Sequence, residues 1–105
     1  MSFQEPKNLE EFKALIAQDK LVIVDFHATW CGPCKLIAPK LAKLTEVYGD
    51  AVFAKVDVDD VADVAAEYQV RAMPTIMYFK NGTKLGEVVG ANMVNIEAKI
   101  KELSA

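Results

Sequence analysis

The stretch Leu21-Val22-Ile23-Val24-Asp25-Phe26-His27-Ala28-Thr29-Trp30-Cys31-Gly32-Pro33-Cys34-Lys35 passes from one periodicity to another. Leu21 to Phe26 is a nearly unbroken apolar run rich in β-branched residues, the pattern of a strand buried on both faces of a sheet. From about Cys34 to Tyr48 the apolar residues Ile37, Leu41, Leu44 and Tyr48 instead share one helical face. Pro39 lies inside that helix and is expected to kink it, and Gly49-Asp50 to end it. At the junction stand the chain's 2 cysteines, Cys31 and Cys34, separated by Gly32 and Pro33.

Elements of both kinds continue outward from this junction. Upstream, Asn8 followed by Glu11 reads as a helix start, the Asn capping and the Glu reaching back. Leu9, Phe12, Leu15 and Ile16 place a helical face to about Gln18. Downstream, Ala51 to Val58 reads as a strand with Val52, Ala54, Val56 and Val58 on one face. Asp59 or Asp60 is expected to cap a short helix carrying Val64, Ala65 and Tyr68. Thr75 to Lys80 and Lys84 to Val89 form a hairpin across Asn81-Gly82, the strongest short hairpin signal. Asn92 caps a last helix with Ile96, Ile100 and Leu103 on one face, and residues 1–6 could add an edge strand. The order (β)αβαβαββα predicts an α/β fold: a mixed central sheet of four to five strands flanked by about four helices. The central β-α-β should be parallel and the final hairpin antiparallel.

The chain has 105 residues, of which 52% are hydrophobic and 26% charged, an ordinary globular composition that fits one domain over 1–105. No apolar run approaches the roughly 20 residues of a membrane span. The opening residues carry neither a signal-peptide nor a transit-peptide pattern, so a cytoplasmic protein is expected. With 12 basic against 15 acidic residues the net charge is −3, which disfavours non-specific attraction to nucleic acid or anionic membrane.

A disulfide between Cys31 and Cys34 would close a tiny loop and remove little unfolded-state entropy, so it makes a poor structural staple. Chemistry is the better use. At a helix N-terminus the backbone N–H groups are unpaired and the dipole is positive, which favours a thiolate on Cys31. Gly32 permits a tight turn, and Pro33 suits the first helical turn. Cys34, one turn further in, should be the less exposed, giving one attacking and one resolving sulfur. Two alternatives stay open: inert buried thiols, or half of a zinc site. The latter could draw on His27, the only histidine, and a carboxylate. Asp25 interrupts the apolar run, as a strand-end charge or as a buried carboxyl behind the cysteines.

The segment from Val24 to Lys35, with Pro39, resembles the active-site segment of the thioredoxin family. So do Lys55-Val56-Asp57-Val58-Asp59, Val70-Arg71-Ala72-Met73-Pro74-Thr75, and the glycines Gly82 and Gly90. The likeness spans essentially the whole chain, and the flanking His-Ala-Thr and Ala-Met-Pro-Thr resemble eukaryotic, fungal-type members. The resemblance implies a thioredoxin fold and a general protein-disulfide reductase working through Cys31 and Cys34. It implies that Asp25 is a buried acid that takes and returns the proton of Cys34, with Lys55 as its partner. It implies a cis Met73–Pro74 bond facing the disulfide. The contact groove for clients would comprise Trp30, Gly32, Pro33, Ala72, Met73, Pro74, Gly90 and Ala91. His27 departs from the Trp or Tyr common in the family and receives no role. The implied partners are an NADPH- and flavin-dependent thioredoxin reductase, and clients such as ribonucleotide reductase, peroxiredoxin and methionine sulfoxide reductase. No bound cofactor is implied, because the electrons reside on the two sulfurs. The expected state is a monomer.

Overall fold

In the computed structural model, which describes residues 3–105, the apolar run forms strand β1 (Val22–His27) and the cysteine motif opens helix α2 (Gly32–Val47). The remaining elements are α1 (Leu9–Ile16), β2 (Val52–Asp57), α3 (Ala62–Glu67), β3 (Thr75–Lys80), β4 (Thr83–Val89) and α4 (Met93–Ser104). The strands lie in the order β2-β1-β3-β4; β1 and β2 are parallel, and the other two pairings antiparallel. The expected α/β fold with a mixed sheet is thus present. Among the described residues of the expected N-terminal edge strand only Gln4 pairs: its N–H donates to the Phe53 carbonyl and its own carbonyl accepts from Lys55, both at 2.9 Å. The first two residues of that expectation, Met1 and Ser2, lie outside the described residues.

The strand period of two divides the core between the sheet faces. Val22, Val24 and Phe26 join Ala54, Val56, Met77 and Phe79 under α1 and α3, where Phe12, Ile16 and Val64 are buried. Leu21 and Ile23 join Phe53, Ile76 and Tyr78 under α2 and α4, where Ile37, Leu41, Ile96 and Ile100 are buried. The Tyr78 hydroxyl donates to the Ile96 carbonyl at 2.9 Å, tying β3 to α4. Asp25 shares the period of Leu21 and Ile23, so it faces the α2 side, and its register partner is Lys55. The same register sets His27 opposite Asp57. The hairpin turn has Asn81 at φ 54° and Gly82 at φ 80°, the left-handed pair a two-residue turn requires. Its N–H groups reach back to the end of α1, Asn81 to Gln18 at 2.9 Å and Gly82 to Ile16 at 2.8 Å.

Three local expectations are corrected. Glu11 does reach back, but to the N–H of Lys7 at 2.8 Å, one residue before the cap. Helix α3 is not capped by Asp59 or Asp60; its N-cap is Val61, without a side-chain cap. Asp57 has already turned the chain, its Oδ1 accepting from Asp59 N–H at 2.9 Å and Asp60 N–H at 3.4 Å. Helix α2 begins at Gly32 rather than about Cys34, because Gly32 and Pro33 lie in its first turn and Cys31 is the N-cap.

Candidate functional site

Parallel β1 and β2 end where antiparallel β3 begins and β4 ends, so four connections meet at one edge of the sheet. They bring together the loop after β1 with Trp30 and Cys31, the acidic turn after β2, the segment Ala72-Met73-Pro74 before β3, and Gly90-Ala91 after β4. Cys31 and Cys34 are joined in a disulfide, their Cα atoms 5.3 Å apart. The Cys31 sulfur takes the place of a helix-capping oxygen, accepting from the backbone N–H of Cys34 at 3.1 Å. Cys31 was expected to be the more exposed cysteine, yet the two are equally covered, at 4% and 5% exposure. Ala28, Val58 and Met73 pack over the pair and remove that difference. The sulfurs differ instead in their place on the helix: only Cys31 faces the unpaired N–H groups of its first turn.

Other residues of the sequence reading lie on these same connections. The Met73 carbonyl oxygen lies 3.6 Å from Cys31 Sγ, and the Met73–Pro74 bond is cis. Gly90, at φ 102°, donates its N–H to the Pro74 carbonyl at 2.8 Å, which fixes the end of β4 against the start of β3. Gly32, Pro33, Ala72 and Ala91 are exposed. Trp30 is 66% exposed and belongs to no core cluster; its indole N–H donates to Asp59 Oδ2 at 3.0 Å. Sequence reasoning gave neither this role of Asp59 nor the packing of Val58. The available signal was topological, since a strand parallel to β1 must deliver its next residues beside Cys31.

Behind the disulfide a recess of about 170 Å³ is lined by Asp25, His27, Ala28, Cys34, Lys35 and Lys55, among others. Asp25 is 8% exposed, and its Oδ1 has no hydrogen-bond partner. Burial pushes its carboxyl up to about 7, against a smaller downward pull from the Lys55 ammonium. That pull is partial because the two form no ion pair, and Lys55 Nζ instead sits 5.9 Å from the centroid of the Phe3 ring. Burial lowers the His27 imidazole from its ordinary value, opposed chiefly by Asp57. Asp25 is therefore not a strand-end charge but a buried acid able to exchange a proton near neutral pH. Among the described residues no three or more His, Cys, Asp or Glu side chains are grouped to hold a metal ion.

Comparison with known proteins agrees with this geometry. The thioredoxin family model matches residues 4–102. Thioredoxin-1 of Schizosaccharomyces pombe is 57% identical over 91 residues, covering 87% of this chain and 88% of that relative. The solved thioredoxin of Malassezia sympodialis superposes with a TM-score of 0.94 at 43% identity, over 99% of this chain and 92% of its own. Oxidized mitochondrial thioredoxin 3 of Saccharomyces cerevisiae gives 0.91 at 45%, over 95% and 94%. With a matching family model, close relatives over most of their length and a paired Cys31–Cys34 at the start of α2, the chain belongs to the thioredoxin family.

Proposed function

We propose that this chain is a general protein-disulfide reductase of one domain, in which Cys31 attacks and Cys34 resolves. The observation that carries this division is the sulfur at the cap of α2, which receives the Cys34 N–H. In the reduced protein the Cys31 thiolate attacks one sulfur of a client disulfide. A bond forms between Cys31 Sγ and that sulfur, the client S–S bond breaks, and the other client sulfur leaves as a thiolate. Cys34 then gives its proton to Asp25 and attacks Cys31 Sγ. The mixed disulfide breaks, the second client sulfur leaves and takes up a proton, and the protein is left with its Cys31–Cys34 disulfide. Two electrons have passed to the client.

Around the sulfurs, Trp30, Gly32, Pro33, Ala72, Met73, Pro74, Gly90 and Ala91 form the contact surface for an extended client segment. The Met73 backbone beside Cys31 Sγ is where that segment would pair. Asp25 moves the proton and Lys55 tempers its charge. A thioredoxin reductase drawing on NADPH returns the electrons. Clients would include peroxiredoxin, methionine sulfoxide reductase and ribonucleotide reductase. The cytoplasm is the proposed location and the monomer the working form; imaging of the tagged chain separates this location from mitochondria, the site of the S. cerevisiae relative. The test of activity is NADPH consumption with thioredoxin reductase and a disulfide-bearing protein such as insulin. Turnover that requires Cys31 and Cys34 supports the reading; turnover surviving their joint replacement by Ser contradicts it.

A further inference from the structure

On α2, Pro33, Leu36, Ile37 and Lys40 recur at helical spacing and so form one stripe running away from the disulfide. Leu36 is 72% exposed, although Ile37 beside it is only 2% exposed. Facing this stripe is the start of α4, where Val94 is 79% exposed. Together Leu36, Ile37, Lys40, Ala91, Met93 and Val94 line an open groove of about 500 Å³. Exposed Leu and Val on facing helices give no stability in the monomer, and burying them against a partner would be favourable.

We infer that this groove is a second docking element for disulfide-bearing clients, taking an apolar side chain of the client and setting a client carboxylate against Lys40. The inference rests on the reductase reading, because the groove shares Ala91 with the proposed contact surface. From Pro33 to Lys40 the helix rises about 10 Å, a length an extended client covers in about three residues. A client chain held at Cys31 would therefore bring its second residue from the attacked cysteine to Leu36 and Val94, and its third to Lys40. Charge supports this occupant. At the β2 edge Trp30 is held by Asp59 beside Asp57 and Asp60, whereas among the described residues Lys40 is the only ionisable side chain lining the groove at the β4 edge. A client that is apolar and then acidic is attracted to this edge and repelled at the other. A second copy of the chain fits less well, since a two-fold contact across this face would oppose its own Lys40 residues.

The probes are two synthetic peptides, each with its cysteine linked to free cysteine as a mixed disulfide: Glu-Leu-Gly-Cys-Gly-Leu-Glu, and the same sequence with Ser for Leu and Lys for Glu. Their symmetry makes chain direction immaterial. The reading is the ratio of the two second-order rate constants for attack by the reduced protein. Wild type should favour the Leu/Glu peptide by about tenfold, the scale of one buried apolar group with a weak charge pair. The pair Leu36→Ser and Val94→Ser should bring the ratio to within about threefold of one, and Lys40→Glu should lower it further. Because each ratio is internal to one protein, partial loss of folding does not mimic the effect. A wild-type ratio near one, or a preference that survives Leu36→Ser with Val94→Ser, overturns the groove. So does a concentration-dependent dimer in sedimentation that Val94→Ser abolishes. If wild type attacks neither peptide, the reductase reading falls first and the groove with it.

Discussion

Helices α1 and α4 begin at asparagines and α2 at a cysteine, but in all three the cap side chain accepts from the backbone N–H three residues on. Asn8 Oδ1 accepts from Glu11 at 2.9 Å, Asn92 Oδ1 from Asn95 at 3.0 Å, and Cys31 Sγ from Cys34 at 3.1 Å. An amide oxygen is a good neutral acceptor, so at Asn8 and Asn92 the contact serves the helix. A disulfide sulfur is a weak acceptor, and the same contact adds little to α2 in the oxidised state. A thiolate is a charged acceptor, and then the N–H groups and the helix dipole work together. The geometry is shared; what differs is that the cysteine gains most from it only after reduction. Ends α1 and α4 are built for stability, and the end of α2 for a change of charge.

The most severe way to break the comparison is to remove one sulfur at a time. Cys31→Ser should lower client reduction at least 10³-fold, to the background of the assay, since no nucleophile remains at the cap. Cys34→Ser should still attack but accumulate client-linked adducts, visible as non-reducible-until-thiol-treated species on gels. Adducts on the Cys31→Ser variant alone would reverse the roles.

Next in size is Asp25. Its carboxyl lies at about 7 in the folded protein against 3.8 ordinarily, because of burial. Between those values the folded state holds more protons than the unfolded one, so stability falls as pH rises through that window. The cost is complete above about 7 and absent below 3.8. Roughly three pH units at about 1.4 kcal/mol each give a penalty on the order of 4 kcal/mol. Asp25→Asn should therefore be the more stable protein in denaturant above neutral pH, with the gain fading in acid. Its turnover should fall by about tenfold or more at neutral pH, with a gap that narrows as wild-type Asp25 itself becomes protonated. A variant that is less stable and equally active would return Asp25 to an ordinary structural charge.

The smallest effect belongs to an asparagine cap. Asn8→Ala should cost about 1 kcal/mol by denaturant titration and leave reductase turnover unchanged. A loss of turnover at constant folding would mean that the α1 cap is not separate from the chemistry.

The comparison also separates what sequence could reveal. The change of period around Cys31, the Asn8 and Asn92 caps and the Asn81-Gly82 turn are local signals, and the structure contains each of them. Asp25 was ambiguous because one carboxylate in an apolar run has the same pattern at a strand end as in a core; the helix packed over it decides. The start of α3 departs from the expected Asp59 or Asp60 cap because both residues give their backbone N–H groups to Asp57 Oδ1, which turns the chain before the helix begins. Equal cover on both cysteines depends on Val58 and Met73, which come from distant segments.

The central claim is that the two sulfurs differ by position on α2 and not by exposure. Competitive alkylation tests it most directly: treat the fully reduced protein at neutral pH with limiting iodoacetamide and map the modified cysteine by mass spectrometry. Cys31 should be modified at least about tenfold faster than Cys34, the thiolate being the reactive form and the helix start favouring it at Cys31 alone. Equal rates, or faster modification of Cys34, would contradict the assignment of attack to the capping sulfur.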